Sequence, residues 1–197
     1  MNYRPILFNT PMVCAIEDGT KTQTRRLVQL PKNKDWELLD VRPNPDLPGR
    51  FWQAEINGTL TDVKKRFTLG IKAPCVPGDV LWVRETWMPV TDGYLYYTID
   101  HVISRDNAPI IWSPSIHMPK AAARIFLRVE SVRAERLKSI SPFNAMDEGF
   151  ADWNDFVSGW NDTIPKGKMR KYGWDANPWV WVIVFERIEK PEGWPNL

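Results

Sequence analysis

Residues 179–185, WVWVIVF, offer no polar position across the whole run. A strand with one wet face alternates polar and apolar residues, so this run has to be covered on both faces. It reads as a strand in the middle of a sheet, and every other element must be able to cover it. RPILFN (4–9) is a short apolar strand, and PGDVLWVRETW (77–87) is a turn followed by an apolar run. TDGYLYYTID (91–100) turns at Asp92-Gly93 into another β-rich run. AARIFLRVESVRAERL (122–137) alternates Ile125, Leu127 and Val129 against Arg124, Phe126 and Arg128, the pattern of a half-buried strand.

Helices are few and short. TPMVCAIEDG places Thr10 as N-cap, Pro11 in the first turn and Gly19 at the stop. SPFNAMDEGF opens on Ser141 and Pro142 and closes on Gly149, and DWNDFVSGWNDTI (152–164) carries a weaker helical pattern. Five to seven strands with two or three short helices make a mainly β protein with short helices. The expected architecture is a small closed β-barrel with helical and loop insertions.

At 197 residues the chain is expected to form one domain, 1–197, with an insertion at about 31–77 that is rich in Pro, Asn, Asp and Lys. One hairpin is expected inside it, turning at Asn57-Gly58. The net charge of +2 gives a weak global field, so any anion site must be local. Cys14 and Cys75 form no metal or disulfide framework, which fits two buried free thiols in a reducing, cytoplasmic setting. No stretch of about 18 apolar residues is present to cross a bilayer, and the N-terminus lacks the layout of a secretion signal. The 11 Trp residues can be read as base-stacking platforms or, more simply, as indoles filling a core between short strands.

EDGTKTQTRR (17–26) concentrates a helix end, Lys21, Arg25, Arg26 and three threonines. The cations can neutralise the negative end of the helix dipole, a contribution of about 0.3–1 kcal/mol each. Interleaved hydroxyls add nothing to that and suit a polar pocket wall instead. A lysine desolvated enough to lose its proton can serve as base for a hydroxyl nucleophile three positions on.

GTKTQTRR resembles the G-x-K-x-x-E-x-R signature of ASCH domains, in the PUA-like superfamily, with Gly19, Lys21 and Arg26 in place and Thr24 where many members have Glu. Small bacterial ASCH proteins that hydrolyse N4-acetylcytidine carry a similar G-x-K-T-x-T-x-R stretch. PGDVLWVRETW, WSPSIHMPKAAARIFLRV and GWDANPWVWVIVFERI are similar to phage and prophage ASCH proteins over nearly the full length. The resemblance implies a Lys21, Thr24 and Glu148 catalytic triad, with Glu85 and Asp147 as rival carboxylates. Thr24 would attack the exocyclic amide carbonyl or position a water, Lys21 would be the base, and Gly19 and Arg26 would face the oxyanion.

The same resemblance implies a second use of the cleft, in which Lys21, Arg25, Arg26, Arg84 and Lys120 form a basic rim for RNA and Trp87, Trp112 or Tyr97 stack a base. Metal-dependent ribonuclease action and a phage accessory protein with a vestigial pocket are further readings. Glu85, with Gly19 and these basic and aromatic residues, completes the expected substrate-binding set. The partner is then a modified nucleoside or RNA and not a membrane. His101 and His117 stand in no ligand spacing, so no metal and no cofactor is implied. WSPSIHMPK can either bring Ser115 and His117 to the cleft or pack Trp112 and Met118 on the barrel. YGWDANPWVW reads as a rigid turn into the last strand.

Gly19→Val is expected to damage the fold, whereas Lys21→Ala and Thr24→Ala are expected to remove activity with little loss of stability; thermal melts of the three variants check this.

Overall fold

The computed structural model describes residues 1–31, 36–47, 49–60, 63–97 and 111–195. Among them are ten strands and four α-helices, more strands than the hydropathy pattern resolves. The run at 179–185 becomes β10 (Trp179–Ile188), paired along its length with β9 (Phe126–Arg136) and on its other edge with β2 (Gln23–Leu27). β6 (Val80–Arg84) pairs with β9, and β1 (Tyr3–Leu7) lies parallel to β6, giving the order β1-β6-β9-β10-β2.

The two faces of β10 are covered by different layers. Val180 and Val182 pack with Phe156 and Trp160 of α3 (Trp153–Asp162) and with Ala145 of α2 (Pro142–Asp147). Trp181, Ile183 and Phe185 pack on the opposite side with Val41, Trp52, Ala54 and Ile56. Those residues belong to a three-stranded sheet of β3 (Glu37–Pro43), β4 (Phe51–Leu60) and β5 (Val63–Lys72). The Trp52 and Trp181 rings meet edge to face at 5.0 Å. The segment read as an insertion thus supplies eight of the 21 buried residues of the main core cluster among the described residues. Covering an aliphatic side chain in this way contributes about 1.5–3 kcal/mol relative to leaving it wet, and β10 has apolar side chains on both sides to cover.

The Asn57-Gly58 turn is a correction. Both residues lie inside β4, opposite Arg66 and Lys65, and the last pair is Leu60 with Val63, so the connection falls at 61–62, outside the described residues. Glycine is needed at 58 for another reason: a Cβ there would stand 2.3 Å from Trp36 Cδ1. Asn9, not Thr10, caps α1 (Thr10–Glu17), its side-chain oxygen accepting from Met12 N at 3.2 Å. Phe126 stays on the face opposite Ile125 and Leu127, but that face is apolar and covered there, with the Phe126 and Trp194 ring centroids 4.8 Å apart. The expected features at 98–110, His101 included, lie outside the described residues.

Barrel closure is also corrected. The ladder ends at β1 and β2, which do not pair with each other. Pro5 in β1 has no N–H to give, and the Arg26 side chain crosses the seam to donate from Nη2 to Leu7 O at 2.9 Å. A separate hairpin, β7 (Trp87–Val90) with β8 (Gly93–Tyr96), turns at Thr91-Asp92. The last short helix is α4 (Met169–Tyr172). Among the described residues no helix is long and apolar enough to cross a membrane. Both cysteines are free, Cys75 buried and Cys14 half-buried; burial, aided by Asp79, pushes the Cys75 thiol up to about 12.

Gly58→Ala is expected to cost about 1–3 kcal/mol through overpacking against Trp36, measured by urea unfolding, while Gly70→Ala, where a Cβ meets nothing within 4 Å, changes stability little.

Candidate functional site

Two helix ends abut and deliver the central residues. α1 stops at Asp18, Gly19 takes φ 76°, and the chain reverses so that Lys21 N donates to Ala15 O at 2.9 Å. α2 stops in the same way, capped at Glu148, with Gly149 at φ 84°. A Cβ on Gly149 would lie 2.8 Å from Ala15 Cβ and 3.2 Å from Lys21 Cβ, so the two turns are pressed together. Lys21 and Glu148 form an isolated antiparallel bridge, and Thr22 N donates to Asp147 O at 2.9 Å.

The side chains complete the join. Lys21 Nζ donates to Glu148 O at 2.6 Å and to Glu148 Oε2 at 3.1 Å. Arg25 Nη1 reaches Glu148 Oε1 at 3.0 Å, and its Nη2 reaches Glu135 Oε1 at 2.7 Å. Arg133 Nε holds the other Glu135 oxygen at 3.1 Å. The side chains of Lys21 and Arg25 are each 1% exposed and that of Glu148 5%. Burial lowers the Lys21 pKa from the ordinary 10.5; Glu148 opposes the shift, and the Arg26 and Arg25 charges add to it.

Thr24 sits on β2 opposite Ile183 and is buried. It borders a cavity of about 470 Å3 with Lys21, Glu148, Phe150, Phe156 and Trp160. Among the described residues none from 31–77 lines that cavity, so the three-stranded layer does not cap it. Phe8 closes another side, with Lys21 Nζ 5.4 Å and the Arg26 guanidinium 5.1 Å from its ring centre. The cavity therefore combines a desolvated amine, a hydroxyl, a carboxylate and flat apolar walls.

The structure gathers part of the expected set and disperses the rest. Lys21, Thr24, Arg25, Arg26 and Glu148 come together, and Gly19 shapes the turn behind them. Arg84 instead donates from Nε to Met118 O at 3.1 Å and lines a different cavity. Glu85 is buried against Arg124 at 2.8 Å, and Asp147 contributes a backbone carbonyl outside the ion cluster, so Glu148 is the carboxylate at Lys21. Trp87 is packed with Met118 and Ala122, Trp112 stands against Tyr97 at 5.3 Å, and Lys120 lies 4.3 Å over Trp194. Ser115 and His117 form a 3-10 turn that does not line the cavity. Arg84 faces the cavity at the seam between β1 and β2, and Lys120 lies over Trp194, so neither joins a basic rim at Lys21.

Participants not anticipated include Glu135, Arg133, Phe8, Phe150, Phe156 and Trp160. The i, i+4 spacing of Phe156 and Trp160 and the alternation of Arg133 with Glu135 were the available signals. Among the described residues no three of His, Cys, Asp and Glu converge as a metal set. Comparison with family models, curated proteins and solved structures gives no match.

Glu148→Gln removes the charge shared by two buried cations and is expected to cost about 3–5 kcal/mol in denaturant unfolding. By the same geometry Lys21→Ala lowers stability as well, contrary to the expectation from sequence, because its partner is buried.

Proposed function

We propose that the cavity belongs to an amidohydrolase that removes an acyl group from the N4 amine of modified cytidine, and that the chain is an ASCH protein of the PUA-like type. The observation that carries this is the buried Lys21–Glu148 contact beside Thr24. A neutral lysine amine has two N–H groups and one lone pair. Its two donations to Glu148 use both hydrogens and leave the lone pair available.

Thr24 Oγ would attack the amide carbonyl carbon, and its proton would pass to Lys21 Nζ. The C–N bond then breaks as Lys21 returns the proton to the departing N4 amine, leaving an acyl ester on Thr24. Water, deprotonated by Lys21, attacks that ester; the C–O bond to Thr24 breaks and the proton returns to Oγ, releasing the carboxylic acid. Arg26 is the candidate for the oxyanion. Phe156 and Trp160 offer flat apolar surface to a base, and about 470 Å3 lies within the usual range for small-molecule sites.

A second reading, that the nucleoside is held within RNA, is favoured by one observation. A cavity sharing Leu27, Gln29, Thr163 and Ile164 with the first leads to Lys168 and Lys171. Lys166 and Arg170 are exposed beside them, so phosphates could follow this side.

The test is ultraviolet absorbance of the protein with N4-acetylcytidine, beside Lys21→Met and Thr24→Val. Conversion to cytidine is expected from wild type, with a loss of about 100-fold or more in each variant. Since the neutral amine is the base, the rate rises with pH and its midpoint falls below 10.5. No conversion, together with RNA affinity that drops steeply with salt, selects the second reading.

A further inference from the structure

The open seam between β1 and β2 holds a second cavity of about 530 Å3. Its floor is apolar, formed by Leu81 of β6, Trp181 and Ile183 of β10, Ile71 of β5 and Cys75 just beyond that strand. It shares only Arg26, Leu27 and Gln29 with the cavity at Lys21.

The charged lining residues are Arg4, Arg26, Lys72 and Arg84, and no carboxylate is among them. Arg4 is neutralised by Asp79 at 2.9 Å. Among the described residues the other three make no ion pair with an acid, although the Glu148 charge acts on Arg26 from the neighbouring cavity. Arg26 donates to Leu7 O, and Arg84 donates to Met118 O and Ile116 O, neutral carbonyls that satisfy N–H groups without cancelling charge. Lys72 lies 5.2 Å over the Phe51 ring. An apolar slot edged by three cations outside any ion pair is complementary to an anion with an apolar body.

We infer that this seam binds an amphipathic carboxylate of the medium-chain fatty-acid class, with its alkyl body on Leu81, Trp181 and Ile183 and its carboxylate at Lys72, Arg84 and Arg26. The shape of the opening favours this over an added peptide strand. Strand addition needs free main-chain groups along an edge, but Pro5 has no N–H and Leu7 O is already taken by Arg26. A neutral apolar ligand would leave the three cations without use, and a small anion would leave the floor wet. The inference does not rest on the amidohydrolase reading: Arg26 borders both cavities, but Thr24 and Glu148 border only the first.

The experiment is calorimetric titration of the full chain with decanoate, 1-decanol and acetate, with Trp fluorescence as a second readout because Trp181 forms the floor. One decanoate per chain is expected, with decanol and acetate each weaker by about tenfold or more. Lys72→Glu, at an exposed rim position, is expected to weaken decanoate by about tenfold while leaving decanol unchanged. Leu7→Trp, at the exposed mouth, is expected to block both. Circular dichroism confirms that the variants fold. Absence of saturable decanoate binding, equal affinity for decanol, or decanoate binding unmoved by either variant overturns the inference. Failure of N4-acetylcytidine turnover leaves it standing.

Discussion

Glu148 is reached by two buried cations, Lys21 and Arg25, from residues more than 120 positions away in sequence. Taking three charges out of water is costly, and each remains charged or hydrogen-bonded only because the others are in place. That interdependence fastens the end of α2 to the end of α1 and to the edge strand β2. Once it is made, the cavity has a fixed floor, and the aromatic residues of α3 have something to lean over. Buried ion clusters are poor devices for stability alone, since apolar residues of equal volume do as well or better. Their presence at a cavity is better understood as holding an amine in a particular orientation.

The second constraint is β10. Its unbroken apolar run forces one layer on each side, and the chain meets this with unlike materials: helices α2 and α3 on Val180 and Val182, a three-stranded sheet on Trp181 and Ile183. The arrangement has a functional consequence. The cavity at Lys21 runs along the β2 edge between Phe8 and the α3 residues Phe156 and Trp160, and among the described residues none from 31–77 lines it. The open ladder produces the second consequence, a seam between β1 and β2 whose apolar floor is shared with the main core.

Much of this was legible locally. The caps and stops around α2, the strand character of 179–185 and the tight turn after Gly19 follow from side-chain hydrogen bonding, apolar periodicity and the absence of a Cβ. The proximity of Lys21 to Glu148 came from a motif resemblance and not from any spacing in the chain. Gly58 shows the limit of local rules: Asn-Gly is a strong turn signal, yet here the glycine serves the Trp36 ring packed on it. Arg84 and Lys120 show another limit, since a cation's type says nothing about which side of a sheet it will occupy.

Mainly β character, one strand covered on both faces, and a lysine, a threonine and arginines leaving a helix end together can all be read along the chain. These are properties of neighbours along the chain, set by short-range sterics and by period. Folding sets which carboxylate meets Lys21, which residues wall the cavity, that 31–77 contributes to the core, and that the ladder stays open at its seam. Each depends on pairings between distant segments, where packing volume, desolvation and edge-strand hydrogen bonding choose among partners that look alike in sequence.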